Sequence, residues 1–134
     1  MSGEAYFYGL IPFMGEDEKL VLLARVERQA AASILPLIEK HGLGPRETGK
    51  LRQEGLAHVD QHKDLSWPEF MRYIVDRYPG YLEEFSALEA MAPEEDLKYL
   101  RELTQHEVLA IEFAQRELAG DHKSTESLRA YLKD

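Results

Sequence analysis

The sequence predicts an all-α protein: one up-and-down four-helix bundle with a kinked third helix and a short C-terminal helix. Three observations carry that reading. No stretch alternates apolar and polar residues over strand length, and no Asn-Gly or Asp-Gly hairpin turn occurs. Apolar residues instead recur every three to four positions along long stretches, the spacing of one helix face. Prolines and glycines fall between those stretches, so short loops join antiparallel neighbours.

One domain covers 1–134, with an N-terminal arm at 1–15, a helical core at 16–119 and a tail helix at 120–134. The apolar run from Ala5 to Met14 contains Pro12 and is too short to span a bilayer. It also lacks the basic start and small-residue cleavage site of a signal peptide. Tyr6, Phe7 and Tyr8 are read as covering an open end of the bundle, with packing against a second subunit of a homodimer as the alternative.

The first core helix starts near Glu16 or Asp17, whose carboxylates suit a helix N-terminus, and runs to about His41. Gly42, Gly44 and Pro45 stop it, and Pro36 bends it. Its stripe holds Leu20, Leu23, Ala24, Ala30, Ala31, Ile34 and Ile38, with Glu27 near the middle of the arc. The second helix follows Pro45 and continues to about Lys63. Leu51 and Leu65 share a face there with Glu54, His58 and His62, while Leu56 and Val59 lie to one side.

Ser66 and Glu69 form a capping box that opens the third helix through Phe70, Ile74 and Arg77. Pro79-Gly80 breaks or kinks it, and Tyr81, Phe85, Leu88 and Met91 then rebuild a stripe that brackets Glu84. Pro93 followed by Glu94, Glu95 and Asp96 starts the fourth helix, which runs to Ala119 and ends at Gly120. Leu97, Leu100, Leu103, Thr104, Ile111, Ala114 and Leu118 make its stripe, and Glu107 sits in the centre. Ser124 or Thr125 caps the tail helix, which docks through Leu128, Tyr131 and Leu132.

Composition excludes several classes. The chain has 134 residues, 44% hydrophobic and 31% charged, enough to bury a real core. A net charge of −9 with no basic patch repels phosphate backbones, so nucleic acid is excluded as a partner, and no membrane span is expected. Zero cysteines remove disulfides, thiolate metal sites and cysteine catalysis, and fit a cytoplasmic protein. No Gly-rich phosphate loop, nucleophile elbow or His-Glu-x-x-His motif occurs.

Glu27, Glu84 and Glu107 each interrupt an apolar stripe, where an uncompensated carboxylate is costly. Glu54, His58 and His62 share a face of another helix, and His106 stands beside Glu107. Carboxylates and imidazoles facing one interior suit iron or manganese. At these residues the chain resembles the ferritin-like, rubrerythrin-type superfamily. The resemblance rests on Glu27 in Leu23-Ala24-Arg25-Val26-Glu27-Arg28-Gln29-Ala30, on Glu54 with its histidines, on Glu84 in Tyr81-Leu82-Glu83-Glu84-Phe85, and on His106-Glu107 in Leu103-Thr104-Gln105-His106-Glu107-Val108. It covers about 16–119. It implies Glu27, Glu54, Glu84 and Glu107 as oxygen ligands, His58 with His62 or His106 as nitrogen ligands, and an oxidoreductase acting on a small molecule. The chain departs from the family's Glu-x-x-His pairs, since Ala57 follows Glu54 by three and Ala110 follows Glu107 by three. A single metal, an unusual dinuclear site and a family member without metal all stay open.

Each residue also has a structural reading. Arg25, Arg72, Arg77 or Arg101 can neutralise Glu27; His58 and His62 suit a surface; His106 suits a ligand, a carboxylate's partner or a surface position. Tyr73, Tyr78, Tyr81 and Tyr99 line a small cavity or fill the core. The alternative functions are a metal-free interaction protein whose inward acids fix helix register, and a bundle enclosing an organic ligand.

Overall fold

The computed structural model describes the backbone of residues 2–41 and 48–133 and the side chains of 3–41 and 53–133. It is all-helical among those residues: α1 Ser2–Met14, α2 Asp17–Ser33, α3 Leu35–Lys40, α4 Thr48–His62, α5 Trp67–Met91, a 3₁₀ turn Glu94–Asp96, α6 Leu97–Leu118 and α7 Glu126–Leu132. No helix among the described residues is long and apolar enough to cross a membrane. The expected stop at Gly42, Gly44 and Pro45 lies outside the described residues, as does the side chain of Leu51.

The segment read as an arm is the helix α1, packed between α2 and α4. Its apolar residues run almost all round the helix and leave no periodic stripe in the sequence, yet the fold buries one face only and leaves Tyr8 and Phe13 exposed. Phe7 and Leu10 are fully buried and Tyr6 nearly so. At Gly9 the α1 backbone meets side chains of α4: a Cβ there would lie 2.6 Å from Val59 Cγ2.

Pro36 divides the first core helix. With no N–H to give the carbonyl four residues back, it separates α2 from α3 at Ile34, and it occupies the first turn of α3. The capping box forms in full: Glu69 N–H donates to Ser66 Oγ at 3.2 Å, and Ser66 N–H donates to Glu69 Oε1 at 2.9 Å. Of the expected break or kink at Pro79-Gly80, no break occurs: α5 continues through both for 25 residues. Both lie on its exposed side, while the buried Ile74 and Tyr78 hold this stretch on the core.

α5 and α6 form the most extensive helix pair; α6 also packs on α2, α2 on α1, and α1 on α4. The ring of helices closes where His62 of α4 meets Tyr73 of α5, centroids 4.4 Å apart. Phe7, Leu20, Leu23, Phe70, Met71, Ile74, Phe113 and Leu128 fill the interior. Two carboxylates tie the ends. Glu117 accepts from Lys19 Nζ at 2.7 Å, Trp67 Nε1 at 2.8 Å and Ser124 Oγ at 2.5 Å, joining α2, α5, α6 and the loop before α7. Asp96 accepts from Lys40 Nζ at 2.6 Å and pairs with His41 Nε2 at 2.9 Å, fixing the end of α3 to the 3₁₀ turn.

Candidate metal centre

α6 faces two neighbours, and that geometry buries adjacent residues. Glu107 points toward α2, and His106, one residue earlier, turns toward α5, where its ring lies 6.1 Å from that of Phe85. Glu27 reaches in from α2. The side chains of His106, Glu107 and Glu27 are only 5%, 7% and 13% exposed. One donor atom from each lies within 4.8 Å of the others.

The histidine has a defined orientation. Its Nδ1 donates to the Leu103 carbonyl one turn back, which leaves Nε2 facing both acids, 3.1 Å from Glu107 Oε1 and 3.5 Å from Glu27 Oε1. A ring held by Nδ1–H to a backbone oxygen is the arrangement in which Nε2 serves as a metal ligand. Glu107 Oε2 is buried with no hydrogen-bond partner. An orphaned carboxylate oxygen in the interior is costly unless a cation or donor meets it.

The electrostatics agree with a tight cluster. Burial opposes protonation of His106, but hydrogen bonds to Glu107 and Glu27 and their charges overcome it, pushing the imidazole up to about 10. Burial pushes Glu107 upward, and the His106 contact works against that rise. The first turn of α1 lies directly on Glu27: a Cβ at Gly3 would stand 2.6 Å from Glu27 Oε2. Only a glycine admits the carboxylate so close to that backbone.

The trio opens on a chamber of about 320 Å³, whose walls include Tyr6, Tyr73, Tyr78, Tyr81 and Phe85. The remaining sequence candidates divide around it. His58 lines the chamber but is exposed, and its ring meets the Tyr6 ring at 6.1 Å. His62 Nδ1 is hydrogen-bonded to the Tyr6 hydroxyl at 2.9 Å, and burial, then the nearby His58, hold its imidazole below the usual range. Glu54 and Glu84 are exposed. α4 turns Gly55 and Val59 inward, so Glu54 and His58, each one residue earlier, fall about 100° away. Because α5 is unbroken, the phase set by Phe70, Ile74 and Tyr78 carries through and leaves Glu84 on the outer flank.

Sequence reasoning missed Gly3 and Tyr6 as parts of the site, because both belong to the helix read as an arm. No protein-family model, curated protein or solved structure matches this chain. The donor set itself fits a hard or borderline divalent cation: one imidazole with its tautomer fixed and two carboxylates, one of which keeps an oxygen without a partner.

Proposed function

We propose that this chain is a metal-binding helical protein of ferritin-like type, in which Glu27, His106 and Glu107 hold one iron or manganese ion beside a substrate chamber. The observation that carries this reading is the His106 ring, anchored by Nδ1 to Leu103 and aimed by Nε2 at two buried carboxylates, one with an orphaned oxygen. The helices α1, α2, α4, α5 and α6 make the ring, in which α2 and α6 supply the ligands and α1 lies on Glu27. Such an ion, when bound, supplies one-electron redox chemistry or activation of oxygen or peroxide.

The chain's own groups do the rest. Glu27 and Glu107 provide oxygen donors of opposite origin, from α2 and α6, so the spacing of those helices sets the site's size. His106 gives up its Nε2 proton on metal uptake while Nδ1–H stays on Leu103. The N-terminal turn of α1 and the tyrosine walls keep bulk water from the trio and orient a small molecule against it. Glu54, His58, His62 and Glu84 stay outside a one-metal site.

The test is an anaerobic titration of chelator-treated protein with ferrous or manganous ion, followed by calorimetry and thermal unfolding. Saturation at one equivalent, proton release and a higher Tm are expected. A second reading has its own observation: His106 Nε2 lies within 3.5 Å of both acids, whose contacts push the imidazole up to about 10, so a protonated ring would make the trio a buried network that fixes helix register without metal. An unchanged Tm and no binding heat in that titration would select it.

A further inference from the structure

The chamber has a wall chemistry that the trio does not explain. Five aromatic rings, from Tyr6, Tyr73, Tyr78, Tyr81 and Phe85, dominate its lining, and no lysine or arginine lines it among the described residues. Successive rings stand nearly at right angles, Tyr73 to Tyr78 at 78° and Tyr78 to Tyr81 at 73°, with centroids 6.5 and 5.6 Å apart. Rings set edge to face in this way form the corner of a slot that receives another ring by the same contacts. The volume, about 320 Å³, lies at the small end of ligand pockets and admits about one ring with a short substituent.

Charge narrows the class further. Any ligand here lies near Glu27 and Glu107, whose two charges the single protonated His106 between them offsets only in part, and no lysine or arginine stands on the wall among the described residues to pair with an anion. Tyr78 and Tyr81 on the same wall carry neutral hydroxyls, which burial first and the nearby acids and tyrosines next push further from ionisation, so the lining adds polarity without adding charge. Tyr81 and His58 are exposed and mark the mouth.

We propose that the chamber binds a small uncharged aromatic molecule of about one ring, phenol being the simplest member of the class. As the substrate of a metal centre this ring rests on the reading above; as a ligand of the chamber it does not. The test therefore uses chelator-treated protein and three probes of similar size, phenol, benzoate and cyclohexanol, followed by calorimetry and ligand-observed NMR. Phenol is expected to saturate one site, with cyclohexanol about fivefold weaker for want of ring contacts and benzoate at least about tenfold weaker from repulsion by the acid pair that His106 offsets only in part. Tyr81→Ala, on the exposed rim, is expected to keep the fold and weaken phenol about fivefold.

Benzoate or cyclohexanol binding as well as phenol, or no saturable phenol binding by folded wild-type protein, would overturn the proposal. Phenol binding without any metal uptake would leave the chamber standing and remove the metal centre. Metal uptake without phenol binding would do the reverse.

Discussion

His106 stands between two carboxylates that would otherwise face each other in the interior. Replacing it by leucine leaves Glu27 and Glu107 as buried acids without their shared cation partner, and breaking such a cluster costs about 3 kcal/mol. Urea unfolding should show that loss for His106→Leu, with part of it recovered by adding Glu27→Gln. Asp96 offers a pH test of the same physics. Lys40 first and His41 second hold its carboxyl below its ordinary value of 3.8. A depressed acid contributes stability above its unfolded pKa and loses it as pH falls through the folded one. Asp96→Asn should therefore lower stability at neutral pH and converge with wild type under strongly acidic conditions, as measured by denaturation at a series of pH values. Of the residues in the site, Glu27 and Glu107 were legible as carboxylates interrupting apolar stripes. His106 was legible only as their neighbour, because its burial depends on α6 having two packed flanks, which sequence periodicity does not register.

At the scale of elements, local signals were the readable ones. Ser66 with Glu69, Pro36, Pro93 and Gly120 mark boundaries that depend on backbone chemistry within a turn, and the helices start or stop beside them. α1 was not legible, because a helix apolar on all sides has no stripe to detect, and which face is buried is decided by the neighbours α2 and α4. The continuity of α5 was legible only as one of two outcomes, a kink or a break, and tertiary packing of Ile74 and Tyr78 decides against the break by overriding the local cost of Pro79. That cost remains in the fold. Pro79→Ala restores a helical N–H at an exposed position and should raise stability by about 1 kcal/mol or more in chemical denaturation. Gly9 makes the opposite case. Alanine favours a helix, yet its Cβ would stand 2.6 Å from Val59 Cγ2, so Gly9→Ala should destabilise by about 1 kcal/mol. In a Val59→Ala background the same change should turn stabilising, and a double-mutant cycle measures the reversal.

Across the whole molecule, the all-helical class followed from patterning, whereas the site's membership followed from how helices are arranged around it. Four helices were expected to offer ligands; α2 and α6 bring theirs together, and α4 and α5 instead supply His58 and the tyrosine walls of the chamber. Residues on different elements meet only through long-range packing, and no spacing within one helix records that. The central claim, a single ion held by Glu27, His106 and Glu107, makes a prediction that separates these residues from the other acids. Metal content should be measured by mass spectrometry on anaerobically reconstituted wild type and on Glu27→Gln, Glu107→Gln, Glu54→Gln and Glu84→Gln variants. The account predicts about one equivalent in wild type and in the Glu54 and Glu84 variants, and less than about a tenth when Glu27 or Glu107 is changed. Equal metal content in all five proteins, or none in any, would contradict it.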